Sequence, residues 1–86
     1  MRNITFTPLA YTDYIDWIKT DKQLFLKITK LIREAAKTPD KGTGKPELLK
    51  HKYSGNWSRR INKEHRLVYK ATDENIKIIS CKYHYE

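Results

Sequence analysis

The amino-acid sequence predicts an α+β fold in which two N-terminal helices pack on one face of a small, mainly antiparallel β-sheet. Two segments in the first half of the chain have apolar residues at helical spacing. Three segments in the last third alternate between apolar and polar residues as strands do, and short polar turns separate them. Amphipathic helices and a sheet with one apolar face can bury those surfaces against each other, so a two-layer arrangement is the simplest solution.

A short first strand is predicted over residues 3–7, and Pro8 then suits the first turn of a helix. Thr20 and Asp21 are candidate caps between this helix and a second one that ends before Pro39. In the first helix, the residues predicted to face the core are Tyr11, Tyr14, Ile15 and Ile18, with Trp17 beside them. In the second helix, they are Leu24, Phe25, Ile28, Leu31, Ile32 and Ala35.

A loop is predicted over residues 40–46, which read DKGTGKP, and a meander of three strands over residues 56–62, 66–72 and 75–82. Two-residue alternation places Arg59 on the same face as Trp57 and Ile61. The same alternation predicts that Arg60 and Arg66 share the opposite, open face of the sheet.

Positive charge is concentrated in the middle of the chain. The formal net charge is +8, and residues 41–70 contain nine Lys and Arg against two acids, while the remainder contains nine bases and eight acids. Aromatic residues are interleaved with these cations, a pattern typical of surfaces that bind a phosphate backbone with stackable bases. This distribution favours a nucleic-acid partner.

The chain is expected to form one domain over residues 1–86. No apolar run predicts a membrane span or a signal peptide, and the single cysteine, Cys81, is compatible with a reducing cytoplasm. Cys and His spacing does not suggest a zinc site, so neither a metal nor another cofactor is expected.

Glu47 is an isolated carboxylate within the basic segment, and it could act as a general base. Metal-free RNA cleavage needs a base for the 2′-hydroxyl, a cation for the transition state and an acid for the leaving 5′-oxygen. The candidate cations are Arg59, Arg60 and Arg66, and the candidate acids are His51, His65 and His84. Composition does not choose among the three histidines, and His51 and His65 are expected at the surface. A basic binding module without catalysis fits the same charge pattern.

The blocks GKPELLKH, SGNWSRRINKEHRLVY and KYHYE resemble those of the YoeB toxins of the RelE superfamily over nearly the whole chain. The resemblance implies a microbial-ribonuclease-like, RelE-type fold and a toxin of a type II toxin–antitoxin pair. It also implies a ribosome-dependent endoribonuclease that enters the ribosomal A site and cleaves translated mRNA. The implied partners are a YefM-like antitoxin with an acidic tail, the ribosome with its RNA, and a second copy in a homodimer.

The resemblance also implies roles for individual residues. Glu47 matches the general base, Arg66 the residue that stabilises the scissile phosphate, His84 the general acid, and Tyr85 a residue that positions the substrate. Basic positions around the RNA path match Lys50, His51, Arg59 and Arg60. Two departures are Leu48, where the family commonly has proline, and the additional C-terminal residue Glu86.

Overall fold

The computed structural model describes residues 1–83, apart from the side chain of Tyr53, so that His84, Tyr85 and Glu86 lie outside the described residues. The helices are α1 (Pro8–Thr20) and α2 (Lys22–Lys37), with a short 3-10 helix over His51–Tyr53. The strands are β1 (Asn3–Phe6), β2 (Glu47–Leu48), β3 (Trp57–Arg60), β4 (Arg66–Ala71) and β5 (Asn75–Ser80). In the part of the chain that is described, no helix is long and apolar enough to cross a membrane.

The strands form one five-stranded sheet in the order β1-β5-β4-β3-β2. The β1–β5 pair is parallel, and the other three neighbouring pairs are antiparallel. The meander predicted for the last third is therefore confirmed as β3, β4 and β5, and the mainly antiparallel α+β fold is confirmed with it. Placing β4 and β5 inside the sheet leaves β2, which starts at Glu47, at an edge.

Side-chain caps separate the two helices from the segments before them. The Thr7 hydroxyl accepts the Ala10 N–H at 3.1 Å, and the Asp21 carboxylate accepts the Leu24 N–H at 3.1 Å. Each cap satisfies a backbone donor that has no partner inside its helix. The prediction that Asp21 caps the second helix is confirmed.

The buried face of α2 is the predicted one, with Ile28, Leu31, Ile32 and Ala35 in the core. The predicted face of α1 is confirmed for Tyr14, which packs against the core, and is wrong for two other residues. Tyr11 is 56% exposed and Ile18 is 45% exposed, whereas Ala10 and Trp17 are buried. The Trp17 indole N–H donates to the Cys81 carbonyl at 3.1 Å, so burial of the ring leaves no polar atom unpaired. Ala10 allows close packing against the sheet at a position where the sequence shows no large apolar residue.

Cys81 directly follows the last strand and is fully buried. Burial is the main reason that the pKa of its thiol rises to about 12. The thiol therefore remains protonated near neutral pH and acts as a small packing group.

Arg59 is fully buried and binds the loop that connects α2 to β2. Its guanidinium donates to the carbonyls of Thr38 (2.6 Å), Lys41 (2.7 Å) and Thr43 (3.1 Å). Its Nε donates to the Tyr69 hydroxyl at 2.9 Å, and that hydroxyl donates to the Pro39 carbonyl. The prediction that Arg59 lies on the RNA path is wrong, because its donors are directed into the protein and used by the loop.

Glu34 on α2 completes this buried arrangement. One carboxylate oxygen accepts the Thr43 N–H at 2.5 Å and lies 3.5 Å from an Arg59 nitrogen. The hydrogen bond from the Thr43 backbone, together with the positive charge of Arg59, holds the pKa of Glu34 below its ordinary value. Gly42 has a φ of +115°, which L side chains seldom adopt, and a Cβ there would also contact the same carboxylate oxygen.

Replacing Arg59 with Met should lower the free energy of unfolding by about 3 kcal/mol, because three loop carbonyls and the buried Tyr69 hydroxyl lose a charged donor. The matched control is Arg60→Met, which changes the exposed neighbour and should alter stability by about 0.5 kcal/mol or less. Urea denaturation of both variants measures the difference. Equal stability losses in the two variants would contradict the assignment of Arg59 to the loop.

Replacing Glu34 with Gln should remove a pH-dependent part of the stability. Because the pKa of Glu34 is lowered in the folded state, its contribution is complete above the ordinary value of 4.5 and declines as pH falls below it. The difference in unfolding free energy between wild type and Glu34→Gln should therefore shrink on acidification. Urea titrations at several pH values measure it, and a difference that grows as pH falls would contradict the proposed linkage.

Candidate active site

The strand registers bring Glu47, Arg60 and Arg66 to one place on the open face of the sheet. Glu47 on β2 lies opposite Ser58 on β3, and Arg60 on β3 lies opposite Arg66 on β4. The resulting pocket has a volume of about 260 Å³ and is lined by Gly44, Lys45, Glu47, Ser58, Arg60 and Arg66. The shared face predicted for the two arginines is therefore confirmed.

Glu47 is exposed on a strand of only two residues, which the adjacent backbone holds in place. Leu48 pairs with Trp57, and the Leu49 N–H donates to the Asn56 carbonyl at 2.8 Å. On the other side of the pocket, the Arg60 N–H donates to the Gly44 carbonyl at 2.7 Å. The backbone after Glu47 is thus held by the sheet even though Leu48 occupies a position where proline was expected.

Arg59 holds the loop before Glu47 from the core side of the sheet. The carbonyl of Thr43 bonds to the buried Arg59 guanidinium, and the next residue, Gly44, bonds to β3 through its own carbonyl. A Cβ at Gly44 would lie 2.9 Å from the Arg60 carbonyl oxygen, so the loop can approach the strand this closely only with glycine. Arg59 therefore supports one wall of the pocket without reaching its interior.

Arg66 and Arg60 differ in how firmly they are held. Arg66 is half-buried, and its Nη1 donates to the carbonyls of Asn62 (2.8 Å) and His65 (3.1 Å) in the β3–β4 turn. Arg60 is exposed, and its side chain has no hydrogen-bond or ion-pair partner within residues 1–83. A guanidinium that is already hydrogen-bonded loses little conformational entropy when it binds an anion. Arg66 is therefore better preorganised for anion binding than Arg60.

His65 is buried, and the prediction that it is a surface histidine is wrong. Its ring packs edge-on against Trp17, with centroids 4.9 Å apart, and its Nδ1 accepts the Tyr83 N–H at 2.7 Å. Nδ1 is an acceptor in this arrangement, and Nε2 lies 3.6 Å from a carboxylate oxygen of Glu64. His65 therefore supports the backbone and does not face the pocket, which leaves His51 and His84 as candidate acids.

The backbone at Tyr83 is held beside Arg66 from both sides. Its N–H donates to His65, and its carbonyl accepts the Arg66 N–H at 2.8 Å. Tyr83 has a φ of +60°, a conformation that non-glycine residues seldom adopt without such support. The next residue in the chain is His84, which lies outside the described residues together with Tyr85, so the roles predicted for these two remain predictions.

Lys50 and His51 are exposed in the segment between β2 and β3, and neither lines the pocket around Glu47. Their predicted contacts with RNA or the ribosome remain predictions. Lys45 and Ser58, in contrast, line the pocket although they were not selected as site residues. The alternation that separates Arg59 from Arg60 also places Ser58 beside Arg60, and this signal could have identified it.

The pocket combines one carboxylate with two guanidinium groups. A carboxylate can accept a proton, and guanidinium groups bind anionic oxygens through paired N–H donors. The arrangement therefore suits a reaction at a phosphate group in which a neighbouring hydroxyl is deprotonated. Within residues 1–83, no group of three His, Cys, Asp or Glu side chains is placed to hold a metal ion.

Comparison with known proteins agrees with this geometry. The protein-family model for the YoeB-like toxin of bacterial type II toxin–antitoxin systems matches residues 6–85. Toxin YoeB of Escherichia coli strain K12 is 53% identical over 76 residues, which cover 88% of this chain and 90% of that protein.

Solved structures are similar over almost the full length. A YoeB/ParE toxin from Agrobacterium tumefaciens has a TM-score of 0.91 at 42% identity, covering 96% of this chain and 99% of that one. YoeB in a heterotetrameric YoeB–YefM complex from Staphylococcus aureus has a TM-score of 0.89 at 49% identity, covering 99% of each chain. YoeB from that organism has also been solved as a dimer. The family match, these identities and the shared fold together show that the chain belongs to the YoeB-like toxins of bacterial type II toxin–antitoxin systems.

Proposed function

We propose that this toxin is an endoribonuclease that cleaves translated mRNA in the ribosomal A site. The observation that supports this most directly is the pocket in which Glu47 lies with Arg60 and Arg66. A carboxylate beside two guanidinium groups matches the needs of attack by a 2′-hydroxyl on the adjacent phosphate. This chemistry needs no metal, and the products are a 2′,3′-cyclic phosphate and a free 5′-hydroxyl.

Glu47 acts as the general base in this mechanism. It removes the proton from the 2′-hydroxyl while that oxygen attacks the phosphorus, and the bond from phosphorus to the 5′-oxygen breaks. His84 gives its proton to the leaving 5′-oxygen, and Tyr85 positions the substrate. The supporting observation for His84 is its covalent neighbour Tyr83, whose backbone is held beside Arg66.

Arg66 stabilises the negative charge that develops on the phosphate oxygens. Its Nη1 is bonded to two carbonyls of the turn, so the guanidinium orientation is set before substrate binds. The remaining guanidinium donors can form a paired contact with phosphate oxygens. Arg60, exposed and opposite Arg66, adds a second positive charge to the same phosphate environment.

The ribosome orders the substrate in this proposal. The pocket is open around Glu47 and can contact only a small part of an RNA strand. Alignment of the 2′-oxygen with the scissile bond therefore requires another surface that holds the mRNA. Exposed basic residues beyond the pocket, including Lys50 and His51, bind RNA of the substrate or the ribosome. The reaction takes place in the cytoplasm, where translated mRNA is found.

A YefM-like antitoxin is the proposed protein partner, and a homodimer is the proposed assembly of the free toxin. The similar protein from Staphylococcus aureus is found with YefM in one structure and as a dimer in another. The net charge of +8 on this chain would attract an acidic antitoxin segment. Residues 1–86 are proposed to function as one toxin domain.

Replacing Glu47 with Gln should reduce mRNA cleavage on programmed ribosomes by about 10²- to 10⁴-fold, because the amide cannot accept the 2′-hydroxyl proton. The matched control is Glu74→Gln, which makes the same exchange at an exposed turn and should keep wild-type activity. Primer extension on ribosome-bound transcripts measures both variants, and thermal denaturation checks that each is folded.

Two other functions are separated by the same assay. Wild-type protein that binds ribosomes but cleaves no RNA would indicate a non-catalytic RNA- or ribosome-binding module. Equal cleavage of bare and ribosome-bound transcripts would indicate a ribosome-independent ribonuclease. Unchanged cleavage by Glu47→Gln would exclude the role proposed for Glu47.

Replacing Arg66 with Lys should reduce cleavage by about 10²-fold or more, because an ammonium group cannot reproduce the paired contact of a guanidinium. Single-turnover cleavage with ribosomes in excess separates this loss from weaker binding. Arg33→Lys is the matched control, since Arg33 is exposed on α2, and it should retain activity. Comparable rates for Arg66→Lys and Arg33→Lys would show that the positive charge alone is sufficient.

A further inference from the structure

Two pairs of like charges lie directly opposite each other on adjacent strands of the sheet. Arg60 pairs with Arg66 at the start of β4, and Lys70 pairs with Lys77 near its end. The first pair belongs to the pocket described above. The second pair has no place in the proposed catalytic mechanism.

Both pairs lie on the open face of the sheet. Leu67 and Tyr69 on β4 and Ile76 and Ile78 on β5 are buried in the core beneath the helices. Their neighbours along each strand must point the other way. Lys70 and Lys77 are exposed, and Thr5 on β1 lies opposite Lys77 and is also exposed, whereas Val68 on the same face is buried.

The lysine pair lowers the stability of the sheet, and no contact among the described residues compensates for this loss. Like charges directly opposite each other destabilise a sheet, and neither lysine has an ion-pair partner within residues 1–83. Lysines often protect sheet edges from pairing with other chains, but β4 and β5 are interior strands. A ligand with its own negative charges would offset the repulsion.

The spacing along β4 suits a nucleic-acid strand. Arg66 and Lys70 are four residues apart, which corresponds to about 13 Å along a strand. A stacked nucleic-acid strand rises about 3.4 Å per nucleotide, so this separation spans about four nucleotides. A strand with one phosphate at Arg66 can therefore place a further phosphate at the lysine pair.

We propose that Lys70 and Lys77 form a second phosphate-binding subsite for RNA, on the same face as the pocket that contains Glu47 and Arg66. This inference rests on the proposed function, because its ligand is RNA. Backbone phosphates of the cleaved strand and of ribosomal RNA offer the same chemistry, and the test distinguishes them. Contacts of this kind strengthen binding without selecting a sequence.

The test uses the full chain with Glu47→Gln, so that binding is measured without cleavage. Lys70→Gln and Lys77→Gln are added together, and binding to labelled RNA of about 12 nucleotides is followed by fluorescence anisotropy across a salt series. We expect the dissociation constant to rise by about threefold or more at low salt. The slope of log K against log salt should become shallower by about 0.7, because the lysine pair binds one phosphate and each phosphate contact to a single strand contributes about that much.

The matched control is Lys27→Gln with Lys30→Gln on the exposed side of α2, which removes the same charge from the opposite layer. It should leave the slope nearly unchanged. An RNA of about three nucleotides cannot reach from Arg66 to the lysine pair, so the Lys70 and Lys77 substitutions should not weaken its binding. Urea denaturation at low salt should show no loss of stability, since the substitutions relieve a repulsion.

Each outcome decides the inference. If the Lys70 and Lys77 substitutions weaken binding of the longer RNA only, the subsite binds the cleaved strand. If they weaken only co-sedimentation with programmed ribosomes, the subsite binds ribosomal RNA. Equal losses in the α2 control, unchanged binding to both RNAs and ribosomes, or an effect on an acidic antitoxin peptide alone would overturn it. Failure of the wild type to cleave RNA would refute the proposed enzyme while leaving this binding result to be judged separately.

Discussion

The alternation of β3 is the constraint on which the rest of the structure depends. Arg59 and Arg60 are adjacent in sequence, yet Arg59 is fully buried and Arg60 is exposed on the opposite face of the sheet. The buried guanidinium holds the loop that leads to Glu47, and the exposed one lies across from Arg66. A shift of one residue in this register would exchange the two faces, removing both the loop support and the pocket.

The open face also brings together cations that repel one another. Two directly opposed pairs, Arg60–Arg66 and Lys70–Lys77, lie on strands whose other face forms the core. The apolar side of the sheet and the Arg59 hydrogen bonds stabilise the fold. The charged side of the sheet destabilises it, because like charges lie opposite each other. This division is typical of functional surfaces, where binding requirements oppose stability.

The sequence was sufficient to predict β1, the two helices, the three-strand meander, the α2 core face and the shared face of Arg60 and Arg66, because periodicity reports directly which side of an element is apolar. It did not predict β2, which has only two residues. It misassigned part of the α1 face, since Tyr11 and Ile18 are large but exposed, while the small residue Ala10 is buried. It also misassigned His65. Burial of an imidazole depends on a backbone N–H supplied from 18 residues away, which no local pattern reveals.

Some residues of the candidate site could be predicted from local sequence patterns, but their proximity depends on the tertiary fold. Glu47 and Arg66 were identified from family-like blocks, and their proximity follows from two strand registers that a local pattern does not define. Lys45 and Ser58 line the pocket only because the loop and β3 converge there. Arg59 was assigned to the RNA path by the family resemblance, but a charged residue that alternates with Trp57 and Ile61 belongs to the core side.

The central claim is that Glu47 and Arg66 direct a 2′-hydroxyl against the adjacent phosphate. Mass spectrometry of mRNA fragments released from programmed ribosomes tests it most directly, because the chemistry of the new ends records which nucleophile attacked. Fragments with 2′,3′-cyclic phosphate and 5′-hydroxyl ends are the predicted result. Fragments with 3′-hydroxyl and 5′-phosphate ends would contradict the claim, since they require attack by water and not by the 2′-oxygen.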